Sequence, residues 1–230
     1  MHTSLTLRAH ARTLHRYGIT RAFCQSLAAL FLFLLPHAAQ AAPRTILAYG
    51  DSLTAGYQLK PGEGFAPQLQ AALKARGHDV KVIMGGVSGD TTAQGRARMA
   101  WTLAGLKTRP DLVILELGAN DMLRGQPPAT AKANLQAMIR AFRAHGSRVL
   151  LAGMLAQPNL GKAYQQEFNA LYPALAKSER VPLYPFFMEG VAAVPGMQLS
   201  DGLHPTPKGV KVIVNGILPM VETELKALKP

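Results

Sequence analysis

The sequence predicts a doubly wound α/β domain, a three-layer α/β/α arrangement in which helices cover both faces of about five parallel strands. Three observations carry this expectation. Short apolar runs recur along the chain, stretches of helical periodicity lie between them, and glycine or proline punctuates the junctions. Strands apolar along nearly their whole length must be buried on both faces, and regular alternation with helices is how a parallel sheet achieves that.

The elements follow in order. Strands are expected at residues 45–49, 80–84, 112–117 and 148–154. A weaker fifth lies at 181–187, where Pro182 and Pro185 each remove a ladder donor and so call for a sheet edge. Helices are expected over 65–76, 91–107, 129–144 and 163–178, with a last one at about 207–227. Gly77, Gly146 and the segment from Thr108 to Pro110 supply stops between them. No internal repeat, low-complexity tract or linker interrupts the pattern.

The first 41 residues stand apart. Residues 1–25 hold Arg8, Arg12, Arg16 and Arg21 and no acid, an apolar run covers 27–35, and Pro36 is followed by the small residues Ala39 and Ala41. Basic, apolar and small-residue regions in that order compose a secretory signal peptide, expected to be cut between Ala41 and Ala42. The remaining domain, 42–230, is then periplasmic or secreted. The run is too short for a membrane span, which needs ~20 apolar residues; an uncleaved anchor is the structural alternative. Cys24 precedes the run instead of ending it, which argues against lipid attachment there.

Removing the leader changes the chemistry on offer. The full chain of 230 residues has 25 Lys+Arg against 13 Asp+Glu, a net charge of +12, and the four leader arginines reduce this to +8. The only cysteine and four of the seven histidines leave too, so His78, His145 and His204 remain. Disulfides, thiol nucleophiles and cysteine-ligated zinc are thereby excluded. With 48% hydrophobic residues, a self-sufficient core is expected. The basic residues are scattered, and no block of five like charges occurs, which fits solubility and attraction to anionic membrane surfaces better than nucleic-acid binding.

Four loops carry candidate chemistry. The first strand runs into Gly50-Asp51-Ser52-Leu53, placing a serine just past a strand's carboxyl end, where open α/β sheets hold ligands. Such a serine can expose its Oγ as a nucleophile; on position alone, a helix-capping or phosphate-binding serine is the favoured reading. The second strand ends in a glycine-rich loop, Gly85-Gly86-Val87-Ser88-Gly89-Asp90, and the third in Gly118-Ala119-Asn120-Asp121. Each alone reads as a turn or cap. Asp201-Gly202-Leu203-His204, in the last loop, is very weak by itself.

Together the four segments resemble the SGNH (GDSL) hydrolase family, and they occur in that family's order. The resemblance runs from about Arg44 onward and is nearest to the bacterial periplasmic arylesterase and acyl-CoA thioesterase/lysophospholipase branch. It implies the SGNH hydrolase fold and a serine esterase acting without metal or organic cofactor. The implied roles are nucleophile for Ser52, acid–base pair for Asp201 and His204, and oxyanion donors for Ser52, Gly89 and Asn120. Ala119 stands where many relatives have a second glycine, a change that could narrow the pocket without altering the chemistry.

The residues read independently agree. With the flavodoxin-like strand order 2-1-3-4-5, the second and third strands both flank the first, so Ser52, Gly89 and Asn120 converge. A serine needs a base near neutral pH, and imidazole is the usual one. His78 and His145 fall at the amino ends of strands, so only His204 lies on the carboxyl side, with Asp201 three residues earlier to orient it. Residues 190–200 must reach back across the sheet. Asp51 and Asp121 read as structural, holding loop backbones. Met122, Leu123, Met154, Leu155 and Leu160 are candidates for an acyl groove, although ordinary loop packing is preferred for most of them.

The expected substrates are small-molecule aryl or short-to-medium acyl esters, acyl thioesters, or lysophospholipids met at a membrane surface, with no nucleic acid and no obligate protein partner. A carbohydrate-ester deacetylase on the same fold is the main alternative. A flavodoxin-like cofactor or phosphate binder is the alternative from another class, and it would have no use for His204.

Overall fold

The computed structural model describes residues 42–228; the predicted signal peptide lies outside them. Strands β1 (Arg44–Gly50), β2 (Val80–Gly86), β3 (Leu112–Glu116), β4 (Arg148–Ala152) and β5 (Leu183–Tyr184) pair in the order β2-β1-β3-β4-β5. Every pairing is parallel. Central strand β1 is buried from Thr45 to Gly50 and β3 along its whole length, which is why both sequences are apolar without alternation.

Among the described residues, seven α-helices accompany the strands: α1 (Ser52–Ala55), α2 (Phe65–Ala75), α3 (Thr92–Ala104), α4 (Ala119–Leu123), α5 (Pro128–Ala144), α6 (Lys162–Glu179) and α7 (Pro207–Lys226). Helices α2 and α7 pack together on one side, while α5 packs against both α3 and α6 on the other. Aromatic pairs lock these layers. Tyr49 of β1 meets Phe142 of α5 edge-on at 5.3 Å, and Phe65 of α2 meets Phe187 at 5.0 Å.

Three expectations are corrected in detail. The fifth strand shrinks to Leu183 and Tyr184, because Pro182 and Pro185 have no amide to give; it does form the sheet edge. Pro182 still contributes its carbonyl, which accepts from the Leu151 amide at 3.0 Å. Helix α3 ends at Ala104 and not near residue 107, with Gly105 capping it through the carbonyls of Trp101, Thr102 and Leu103. Helices α1 and α4, too short to leave a periodic signature, were not expected as elements, and both lie in the loops that carry the candidate site. Among the described residues, no helix is long and apolar enough to cross a membrane.

Candidate active site

The site begins where β1 leaves the sheet. Gly50 is pressed so closely against Thr54 and Glu116 that a Cβ there would collide with the Thr54 hydroxyl and lie 2.5 Å from Glu116 Oε2. Only glycine lets the chain turn this tightly. The Asp51 carboxylate then caps α1 by accepting the Leu53 amide at 3.0 Å, and the left-handed Gly56 closes the helix after one turn. Ser52 is thus the first residue of a one-turn helix, almost buried but lining a cavity.

The neighbouring loops supply donors. Gly89, after β2, has φ +86°, a conformation that disfavours a side chain, and its carbonyl accepts from Arg124 at 2.9 Å. The backbone N–H groups of Ser52 and Gly89 donate to no acceptor among the described residues. Asn120, after β3, points its amide nitrogen at two acceptors, Asp51 Oδ2 at 3.1 Å and the Asp90 carbonyl at 3.0 Å. With acceptors on that side, the nitrogen rather than the oxygen must face the loop. Asp121 is wholly buried and receives both the amide and the hydroxyl of Thr92, at 2.7 and 2.6 Å, tying the start of α3 to α4. Asp51 and Asp121 are therefore backbone fasteners, as their positions suggested.

The last loop folds back as a small hairpin. Gln198 and Pro205 form an antiparallel bridge, the Leu199 amide donates to the His204 carbonyl at 2.8 Å, and the Thr206 amide donates to that of Met197 at 2.8 Å. Within it, Asp201 Oδ1 accepts the amides of Leu203 and His204 at 2.9 and 3.0 Å. Its other oxygen lies 2.7 Å from His204 Nδ1, and His204 Nε2 lies 2.8 Å from Ser52 Oγ. Facing a carboxylate, Nδ1 carries the proton, which leaves Nε2 as an acceptor for the serine hydroxyl. The Tyr57 ring packs at 4.4 Å against the His204 imidazole. His78 pairs with Glu222 ahead of β2 and His145 caps the end of α5, both remote from this face.

Burial and hydrogen bonding divide the acids. Partial burial pushes the Asp201 carboxyl up, but the backbone amides of His204 and Leu203 and the His204 ring outweigh it and hold it at about 2. Asp51 is displaced the other way, to about 6, by complete burial that the Leu53 and Asn120 hydrogen bonds only partly offset. Burial, and then the nearby Asp51 charge, raise Glu116 well above the usual carboxyl range.

These groups open on a cavity of about 710 Å³, with Ser52, Gly89, Asn120 and His204 among its lining residues. Met122, Leu123, Met154 and Leu155 line it as well, which revises the preference for ordinary packing, although Met122 and Met154 also belong to the core. Leu160 packs against the core and is not part of the wall.

The sequence pattern of the GDSL-like lipase/acylhydrolase family matches residues 48–212, most of the described chain. The chain belongs to that family. The chain is 43% identical over 182 residues to the arylesterase of Vibrio mimicus, spanning 79% of this chain and 90% of that protein. It is 38% identical over 176 residues to thioesterase 1/protease 1/lysophospholipase L1 of Escherichia coli strain K12, spanning 76% and 82% of the two chains. The crystal structure of TesA superimposes with a TM-score of 0.74 at 39% identity, over 79% of this chain and 99% of that one. Like these relatives, the chain is an ester hydrolase.

Sequence reading singled out Ser52, Gly89, Asn120, Asp201 and His204; the fold brings Ser52, Gly89, Asn120 and His204 to one cavity wall, with Asp201 joined to His204 at 2.7 Å. It missed Tyr57, whose isolated aromatic ring carries no pattern, and Arg124, which braces Gly89 from another loop. It also missed the hairpin that presents His204, because Gln198 closes that turn with side-chain bonds to the Ala193 amide and the Gly202 carbonyl.

Proposed function

We propose that the chain is an exported serine esterase that works through an acyl-enzyme on Ser52. The observation that carries this reading is the unbroken chain of contacts from Asp201 through His204 to Ser52, at 2.7 and 2.8 Å. Ser52 Oγ attacks the acyl carbon while its proton passes to His204 Nε2. The tetrahedral oxyanion is met by the free amides of Ser52 and Gly89 and by Asn120 Nδ2, which turns from its Asp51 or Asp90 acceptor. Collapse expels the alkoxide or thiolate, which leaves with the proton from His204. Water then attacks the acyl-enzyme, giving a proton to His204, and Ser52 is regenerated.

The cavity is of a size suited to small ligands. Its methionine, leucine and phenylalanine lining favours an acyl chain of short to medium length, with aryl esters, acyl thioesters and lysophospholipids as the leaving-group classes. Tyr57, Leu123, Leu155 and Leu203 line the cavity while remaining 36–44% exposed, an apolar rim that suits substrates drawn from a lipid surface. A panel of acyl length against aryl, thio and glycerophospho esters distinguishes these classes. Activity confined to acetyl groups on sugars would favour the carbohydrate-ester deacetylase instead.

The direct test is covalent. An alkyl phosphonate is expected to modify Ser52 alone, with turnover of p-nitrophenyl acetate lost in parallel, and EDTA or reductants are expected to leave turnover intact. Modification elsewhere, or loss in EDTA that added zinc restores, would sink the mechanism. Asn120→Ala is expected to lower kcat by ~10²–10³ with little change in KM, because the amide meets charge that develops only in the transition state. A raised KM at constant kcat would make Asn120 a binding residue. Export is expected to leave a mature species beginning at Ala42, read by intact mass of the periplasmic protein; a membrane-retained full chain would refute cleavage.

A further inference from the structure

Glu116 is a buried acid that the proposed reaction does not use. It ends β3, is 1% exposed, and is not part of the cavity wall. Its Oε2 accepts the Thr54 hydroxyl at 2.8 Å, and the backbone amides of Asp51 and Thr54 interact with the same carboxyl. Its carboxyl and its own carbonyl are also what press on Gly50. One side chain from the neighbouring strand therefore touches the chain on both sides of Ser52. Oε1, by contrast, meets no partner among the described residues.

Burying a carboxyl in a strand that is otherwise Leu, Val and Ile is costly, and an apolar residue of similar volume would pack there more cheaply. The hydrogen bonds its side chain accepts all come from the turn at residues 50–54. We propose that Glu116 is a positioning residue for ester hydrolysis, fixing that turn so that Ser52 Oγ stands at hydrogen-bond distance from His204 Nε2. The inference rests on Ser52 being the nucleophile. It acts by accepting hydrogen bonds; burial, and then the nearby Asp51 charge, shift the carboxyl well above its usual range, toward the neutral form. A serine released from this hold drifts from its base, and misplacement by about 1 Å costs on the order of 10²-fold in rate.

The test uses Glu116→Ala, Glu116→Gln, Thr54→Val and the double variant Glu116→Ala/Thr54→Val, assayed for kcat and KM on p-nitrophenyl acetate beside circular dichroism. Glu116→Ala and Thr54→Val are expected to lower kcat by ~10–10²-fold at near-constant KM. The double variant is expected to be little worse than either, because both remove the same hold. Glutamine keeps an acceptor at Oε2 and is expected to restore kcat to within about threefold of the parent. A folded Thr54→Val with parental kcat overturns the inference even if Glu116→Ala fails to fold. A change confined to KM, or a glutamine variant as impaired as alanine, overturns it as well. Should Ser52→Ala remain active, the acyl-enzyme reading itself fails; should only the Glu116 and Thr54 variants behave as the parent, that reading stands and this inference falls.

Discussion

Ser52→Ala and His204→Ala are each expected to lower kcat by on the order of 10⁶-fold, and the double variant to be scarcely worse than either. The proposed nucleophile and base form one unit through the 2.8 Å contact between Oγ and Nε2, so removing either is expected to close the same route. What survives reflects binding and the oxyanion donors, which neither substitution touches. Purified variants with matched circular dichroism, assayed on p-nitrophenyl esters, give the comparison. Substantial hydrolysis by His204→Ala, alongside a folded but inactive Asp121→Ala, would place the base in the wrong loop.

Asp201→Asn is expected to cost ~10³–10⁴ in kcat, less than loss of the serine or histidine. Its amide can present N–H to Nδ1, which drives the imidazole proton to Nε2 and leaves no acceptor for Ser52. The Asp201 side chain is a third exposed, so water can support the productive tautomer part of the time. The pH profile separates the two groups. The Asp201 carboxyl is held at about 2 and stays ionised across the working range, whereas the base must be neutral imidazole to accept the Ser52 proton. Activity therefore falls on acidification. The same depressed carboxyl contributes to stability above pH about 3.8, a contribution lost as pH falls through about 2. A kcat for Asp201→Asn equal to the parent's would show that this carboxylate does not act on the base.

The sheet was legible because β1, β3 and β4 are buried on both faces, and double burial writes a continuous apolar run into the sequence. Strand β5 was overextended for a physical reason: Pro182 and Pro185 interrupt regular pairing, yet the flanking Val181 and Phe187 are buried and look strand-like. Among site residues, Ser52, Gly89 and Asn120 were readable because strand order alone sends their loops to one place. His204 was found by asking which histidine lies on the carboxyl side of the sheet. Glu116 was not readable, since a single acid at the end of an apolar strand gives no sign of facing inward. Tyr57 and Arg124 act through contacts between loops, which leave no periodic trace.

Ser52 and His204 lie 152 residues apart along the chain, and the hairpin that brings them together is bonded at Thr206, at the start of α7. Closing so long a loop costs roughly 4 kcal/mol of chain entropy, which no local segment can supply. The packing of α7 against α2 and against β4 contributes to offsetting it. Hydrolysis is therefore a property of the finished tertiary structure and of no fragment of it. A partly folded chain that holds Ser52 without His204 lacks the proposed base, and is expected not to hydrolyse esters.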